Sequence, residues 1–117
     1  MANEVTVKLE INVSKSGAES SRKENFKATM GGNGITHSIQ NVGTSVEPLD
    51  IGSDAIAVHG WYYIKNLDTV NYIRAGLSGQ YTMKLLPGES CIFRAAAPIY
   101  AIANSSACDV EYLIIEE

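Results

Sequence analysis

Residues 4–13, Glu-Val-Thr-Val-Lys-Leu-Glu-Ile-Asn-Val, alternate strictly. Val5, Val7, Leu9, Ile11 and Val13 are separated by Thr6, Lys8, Glu10 and Asn12. Period two over that length predicts a strand with one face in the core and one in water. A helix would scatter the five apolar residues around its circumference. The polar stretch 14–24, which contains Gly17, predicts a long exposed hairpin loop. Phe26, Ala28 and Met30, alternating with Lys27 and Thr29, then suggest a returning strand. Gly31-Gly32-Asn33-Gly34 predicts a turn, since Gly and Asn tolerate positive φ. Ile35, His37 and Ile39 alternate again with Thr36, Ser38 and Gln40. Between Val42 and Gly52 the pattern is mixed, and Gly43 and Pro48 leave room for one short edge strand around 44–47.

The second half is more apolar. Residues 55–65 end in Gly60-Trp61-Tyr62-Tyr63-Ile64-Lys65, rich in strand-favouring aromatics. Asn66-Leu67-Asp68 marks a turn before a strand at 72–75. A further strand over 80–86 runs into Leu86-Pro87-Gly88-Glu89, where Pro followed by Gly predicts a type II turn. Residues 90–95, 99–103 and 108–115 complete the set, separated by Pro98 and Asn104-Ser105-Ser106. About nine strands at roughly 8–12-residue spacing are the signature of a sandwich or barrel. No stretch carries helical periodicity, an internal repeat or a linker. The expectation is one all-β domain over 1–117, a β-sandwich with a jelly-roll-like arrangement.

Composition narrows the function classes. A chain of 117 residues with 45% hydrophobic and 19% charged residues is neither disordered nor too small for a core. A net charge of −4, with basic residues scattered apart from Arg22-Lys23, argues against a protein that neutralises nucleic-acid phosphates. No apolar run reaches the roughly 20 residues of a spanning helix. The start, Met-Ala-Asn-Glu-Val-Thr-Val-Lys, lacks a basic-then-apolar signal region. Synthesis in the cytoplasm is expected, with the product staying there or leaving as part of an assembly. Cys91 and Cys108 are then expected to be buried, inert thiols, even if they face each other on neighbouring strands.

Candidate chemistry is sparse. His37 and His59 lack the His-x-His pair of a cupin metal site, and no Gly-x-Ser-x-Gly elbow exists. The glycines after Met30 are not followed by the Lys-Ser/Thr of a phosphate loop. Glu47, Asp50 and Asp54 lack the spacing of a calcium loop. No catalytic, cofactor-binding or metal-ligating residue is therefore assigned, and no cofactor. Trp61 and Tyr63 point one way on a strand, Tyr62 and Ile64 the other. Two apolar faces predict an interior strand or one covered by a partner; an exposed aromatic pair would instead stack a sugar. The two Asn-x-Ser triplets, at Asn12 and Asn104, would matter only in a eukaryotic secretory context. Val110, Tyr112, Leu113, Ile114 and Ile115 likewise place the last strand at a sheet centre or an oligomer interface.

From about Val42 onward the chain resembles small tailed-bacteriophage proteins encoded among virion structural genes. The stretches that carry the resemblance are, in order, 43–52, Gly60-Trp61-Tyr62-Tyr63-Ile64-Lys65-Asn66-Leu67-Asp68, Asn71-Tyr72-Ile73 with Gly76, Leu85-Leu86-Pro87-Gly88-Glu89 with Phe93-Arg94, Ile99-Tyr100-Ala101, and Glu111-Tyr112-Leu113-Ile114-Ile115-Glu116. The resemblance implies a non-enzymatic virion component, a capsid decoration (cement) protein above all. Its partner would be the major capsid protein, and its form a homo-oligomer, a trimer being favoured. Nucleic acid and membrane are not implied as partners. The alternative is a tail- or fibre-associated carbohydrate-binding module, for which Trp61 or Tyr62 must be exposed. A small β-barrel enzyme would instead need His37 and His59 brought together with carboxylates.

Overall fold

The computed structural model describes residues 3–51, 56 and 58–117. Asp54, one of the candidate calcium ligands, and the start of the 55–65 stretch lie outside the described residues. The chain divides into two compact units, residues 1–31 and 32–117, and every described regular element is a strand.

The first unit is a two-stranded antiparallel hairpin of β1 (Val5–Lys15) and β2 (Ala18–Ala28). The polar stretch 14–24 is thus not a long loop. The strands continue to a two-residue turn at Ser16 and Gly17, both with positive φ (47° and 90°), the signature of a hairpin turn whose twist matches its strands. Polarity misled because most of the hairpin, on both faces, is exposed. Surface polar pairs replace core packing there. Arg22 pairs with Glu24 along β2, and Ser21 donates to Asn12 across the ladder at 2.5 Å. The predicted strand at 5–13 is present, but burial stops after Val7; Leu9, Ile11 and Val13 are exposed.

The second unit carries β3 (Ile35–Val42), β4 (Glu47–Pro48), β5 (His59–Asn66), β6 (Ile73–Leu77), β7 (Gln80–Leu85), β8 (Ser90–Arg94), β9 (Tyr100–Ala103) and β10 (Cys108–Glu116). They form two antiparallel four-stranded sheets in the orders β3-β10-β5-β8 and β4-β9-β6-β7. Most successive strands cross from one sheet to the other, which gives a sandwich-like arrangement. The short strand near 44–47 is β4, at the edge of its sheet as expected. Both β5 and β10 are interior strands.

One hydrophobic cluster lies between the two sheets. Tyr62, Ile64, Val110, Tyr112 and Ile114 enter it from the first sheet, Ile73, Ala75, Leu85, Ala101 and Ala103 from the second. Bulky rings on one side and alanines on the other divide the space, as close packing requires. Gly60 is needed for the same closeness. A Cβ there would lie 2.6 Å from the Ile115 carbonyl oxygen, where β10 shifts register against β5.

The connections follow the turn chemistry of the sequence. Gly88 has φ of 83°, and Glu89 N donates to Leu86 O at 3.0 Å, which closes the expected Pro87-Gly88 turn. At Asn66-Leu67-Asp68, Asp68 N donates to Asn66 Oδ1 at 2.9 Å. The Asp68 carboxylate in turn accepts from Asn71 N and Val70 N at 2.6 and 3.0 Å, which holds its pKa below the usual carboxylate value. The glycine-rich link after Met30, which spans the boundary between the units, departs from expectation: it is a bend at Gly31 and Gly32, and none of residues 31–34 takes the positive φ that the Gly-Gly-Asn-Gly run predicts. Its Gly34 N donates to Glu116 Oε1 at 3.0 Å, and a Cβ on Gly32 would collide with that carboxylate.

Candidate functional site

The edge strand β3 turns its polar residues inward. Thr36, Ser38 and Gln40 stand opposite the core residues Ile114, Tyr112 and Val110. Inward polar groups need partners, and the 47–51 segment supplies them. Thr36 donates to Ile51 O at 2.5 Å. Gln40 donates to Glu47 at 2.8 Å and accepts from Asp50 N at 2.9 Å. Tyr112 donates to Asp50 O at 2.7 Å, and its pKa is raised, chiefly by burial. Glu47 and Asp50 therefore serve in closing this side of the sandwich.

Because strand side chains alternate, the same register sends Ile35, His37 and Ile39 to the opposite, outer face. Three rows cross the sheet there. Ile35, Ile115, Trp61 and Arg94 form one, His37, Leu113, Tyr63 and Ile92 the next, and Ile39, Glu111, Lys65 and Ser90 the third. Ile35, Ile39 and Ile92 are exposed, with Ile39 at 60%. Leu113, Ile115, Trp61 and Tyr63 are half-buried among their neighbours. Charge takes up the middle of the third row, where Glu111 and Lys65 are paired, and His37 meets Glu111 at 2.8 Å; at the other end Arg94 pairs with Glu117 at 2.9 Å. The first two rows form an apolar, aromatic area bordered by these charges, which has the character of an association surface.

The hairpin carries a second uncovered surface. Val5, Val7, Leu9, Ile11 and Val13 share one face of β1, with Ala28 and Phe26 opposite Val5 and Val7 on β2. Leu9, Ile11, Val13 and Phe26 are exposed, Ile11 at 65%. Covering the exposed part of each would stabilise a complex by roughly 1 kcal/mol per side chain.

The aromatic run on β5 is divided between the two faces of its sheet. Tyr62 is a core residue, 1% exposed, which corrects its candidacy as a sugar platform. Alternation forces it inward once Trp61 and Tyr63 face out. The outward Trp61 ring has the Arg94 guanidinium over it, 4.9 Å from its centroid. The histidines are likewise kept separate. His37 meets Glu111 on the outer face, while His59 Nδ1 lies 2.6 Å from the Tyr62 hydroxyl. Among the described residues no three His, Cys, Asp or Glu side chains are grouped as a metal site would require.

Cys91 is half-buried, Cys108 is buried, and both are free. They do not face each other on neighbouring strands, because β5 lies between β8 and β10. Burial raises both thiol pKa values; the Asp68 and Asp109 charges add to the effect at Cys108. Since the thiolate is the reactive form, alkylation at neutral pH is expected to run at least roughly tenfold slower in the folded chain than after denaturation. Equal rates, read by mass spectrometry over time, would contradict the burial of Cys108.

No protein-family model matches the chain, and no curated protein and no solved structure is significantly similar to it.

Proposed function

We propose that the chain is a structural assembly protein, and specifically a bacteriophage virion component that decorates and stabilises an assembled capsid shell. The observation that carries the assembly reading is the pair of uncovered apolar surfaces, the outer face of the β3-β10-β5-β8 sheet and the β1 stripe of the hairpin. A chain that worked alone would gain solubility from polar residues at Ile39, Ile92 and Ile11. The shell as partner comes from the resemblance. Two of its stretches, around Trp61-Tyr62-Tyr63 and Tyr112-Leu113-Ile114, lie side by side on β5 and β10 and supply much of the outer face.

On this reading the mechanism is binding alone. Contacts made only to the assembled shell stabilise it by mass action, because occupied sites are lost when the shell comes apart. The test is co-sedimentation of the full chain with empty, expanded heads of the phage that encodes it. Saturable pelleting and a raised temperature of shell disruption are the expected results. A chain that stays in the supernatant at every shell concentration overturns the shell reading.

A further inference from the structure

We infer that the β1–β2 hairpin is an intersubunit arm whose apolar stripe lies on the outer face of the β3-β10-β5-β8 sheet of a second copy of this chain. The inference rests on the assembly reading above and names what covers both surfaces.

A lone two-stranded hairpin is marginal in water and needs a third strand or a packing surface. This hairpin nevertheless carries eleven residues in each strand, with its stripe exposed beyond Val7. At about 3.3 Å per residue each strand is roughly 36 Å long. A body of the length of residues 32–117 has a radius of gyration of about 12 Å, hence a width of roughly 30 Å. The arm is long enough to cross a whole neighbouring body.

Charge selects the occupant. Residues 1–31 hold five Lys and Arg against four Glu, a net +1, while residues 32–117 hold four Lys and Arg against nine Asp and Glu, a net −5. Two arms repel each other, as do two bodies. Arm against body is the pairing of opposite sign. The body also offers a matching apolar surface, since Ile35, Ile39 and Ile92 stand exposed on a strand-built face. Two such faces stack as the layers of a sandwich do. The contact is heterologous, arm to face, so copies close into a ring or exchange arms in pairs.

Two variants test this in the full-length chain: Ile11→Asp on the arm, and Ile39→Asp with Ile92→Asp on the face. All three positions are exposed, so circular dichroism is expected to show the body's β-structure retained, with melting lowered only by the association that is lost. By light scattering the parent should have a mass at least twice 12.6 kDa, and each variant that of one chain. Mixed, they should form a two-chain species, because the face variant keeps a good arm and the Ile11→Asp variant a good face. A parent that is monomeric overturns the inference. So does a face variant that stays associated, which would mean stripe against stripe, or a mixture that remains monomeric at raised concentration. Shell sedimentation separates the two readings. A monomer that pellets with shells refutes the arm contact alone, and an arm-linked oligomer that ignores shells refutes the shell reading alone.

Discussion

Replacing Tyr62 by alanine is expected to destabilise the chain by about 3–5 kcal/mol, the range for removing a large aromatic side chain from a closed core. The ring is buried in the cluster between the two sheets of the second unit. It stacks on Phe93 at 5.6 Å and on His59 at 5.8 Å between centroids. Its neighbours sit on two paired strands, so collapse around the void would have to move the β5–β8 ladder. Tyr62→Phe keeps the ring and gives up the hydroxyl contact with His59 Nδ1, for roughly 1 kcal/mol. Urea unfolding of the three proteins measures both steps, and a loss below about 1 kcal/mol for the alanine variant would mean that the core closes without this ring.

The same residue sets an alkaline limit. Burial pushes the Tyr62 hydroxyl from its ordinary 10.0 up to about 12, against an opposing backbone hydrogen bond at Ile99. The folded state therefore holds this proton more tightly than the unfolded state does. Its contribution is complete below pH 10 and is lost as pH rises from 10 to about 12. Cys91, Cys108 and Tyr112, also raised by burial, act in the same direction. Stability measured against pH is expected to fall across that range, less steeply in Tyr62→Phe. A stability that rose with alkalinity would refute the assignment.

The strands were legible wherever residues alternated or turn residues fell at fixed offsets. Pro87-Gly88 and Asn66-Leu67-Asp68 are local chemistry, and so could be read without knowing the fold. Facing was harder to read. Ile35, His37 and Ile39 have the same alternation whether they enter a core or leave it. What turns them outward is the long-range pairing of Thr36, Ser38 and Gln40 with Ile114, Tyr112 and Val110. One signal was available: Gln40 and Thr36 have donors and acceptors that a closing segment such as 47–51 can satisfy. The hairpin failed for the converse reason. Between Ser14 and Glu24 nothing is buried, so no period-two pattern of hydrophobicity marks the strands. The spacing at 5–13 marks one face of a strand, but it does not encode what covers that face, and beyond Val7 the face is exposed rather than in the core.

Asn66→Leu is expected to cost about 3–4 kcal/mol although it keeps the same branched heavy-atom skeleton. Asn66 closes β5 and is completely buried, an unusual place for an amide. Its Nδ2 donates to Asn71 O at 2.9 Å and to Leu85 O at 3.1 Å, and its Oδ1 accepts from Asp68 N. Its backbone N–H donates to Glu89 O, and its carbonyl accepts from Gly88 N. One side chain thus joins the end of β5 to the following turn, to the end of β7 in the other sheet, and to the residue preceding Tyr72. Leucine would fill the space but leave these three side-chain hydrogen bonds unmade where water cannot replace them. Each unmade bond in a buried site costs about 1 kcal/mol or more. Asn66→Asp separates the roles. It retains the acceptor for Asp68 N but sets a carboxylate against the carbonyls of Asn71 and Leu85, so its loss should equal or exceed that of leucine. Denaturant unfolding gives the two values. If leucine cost no more than about 1 kcal/mol, packing rather than hydrogen bonding would be what holds the two sheets together at this end.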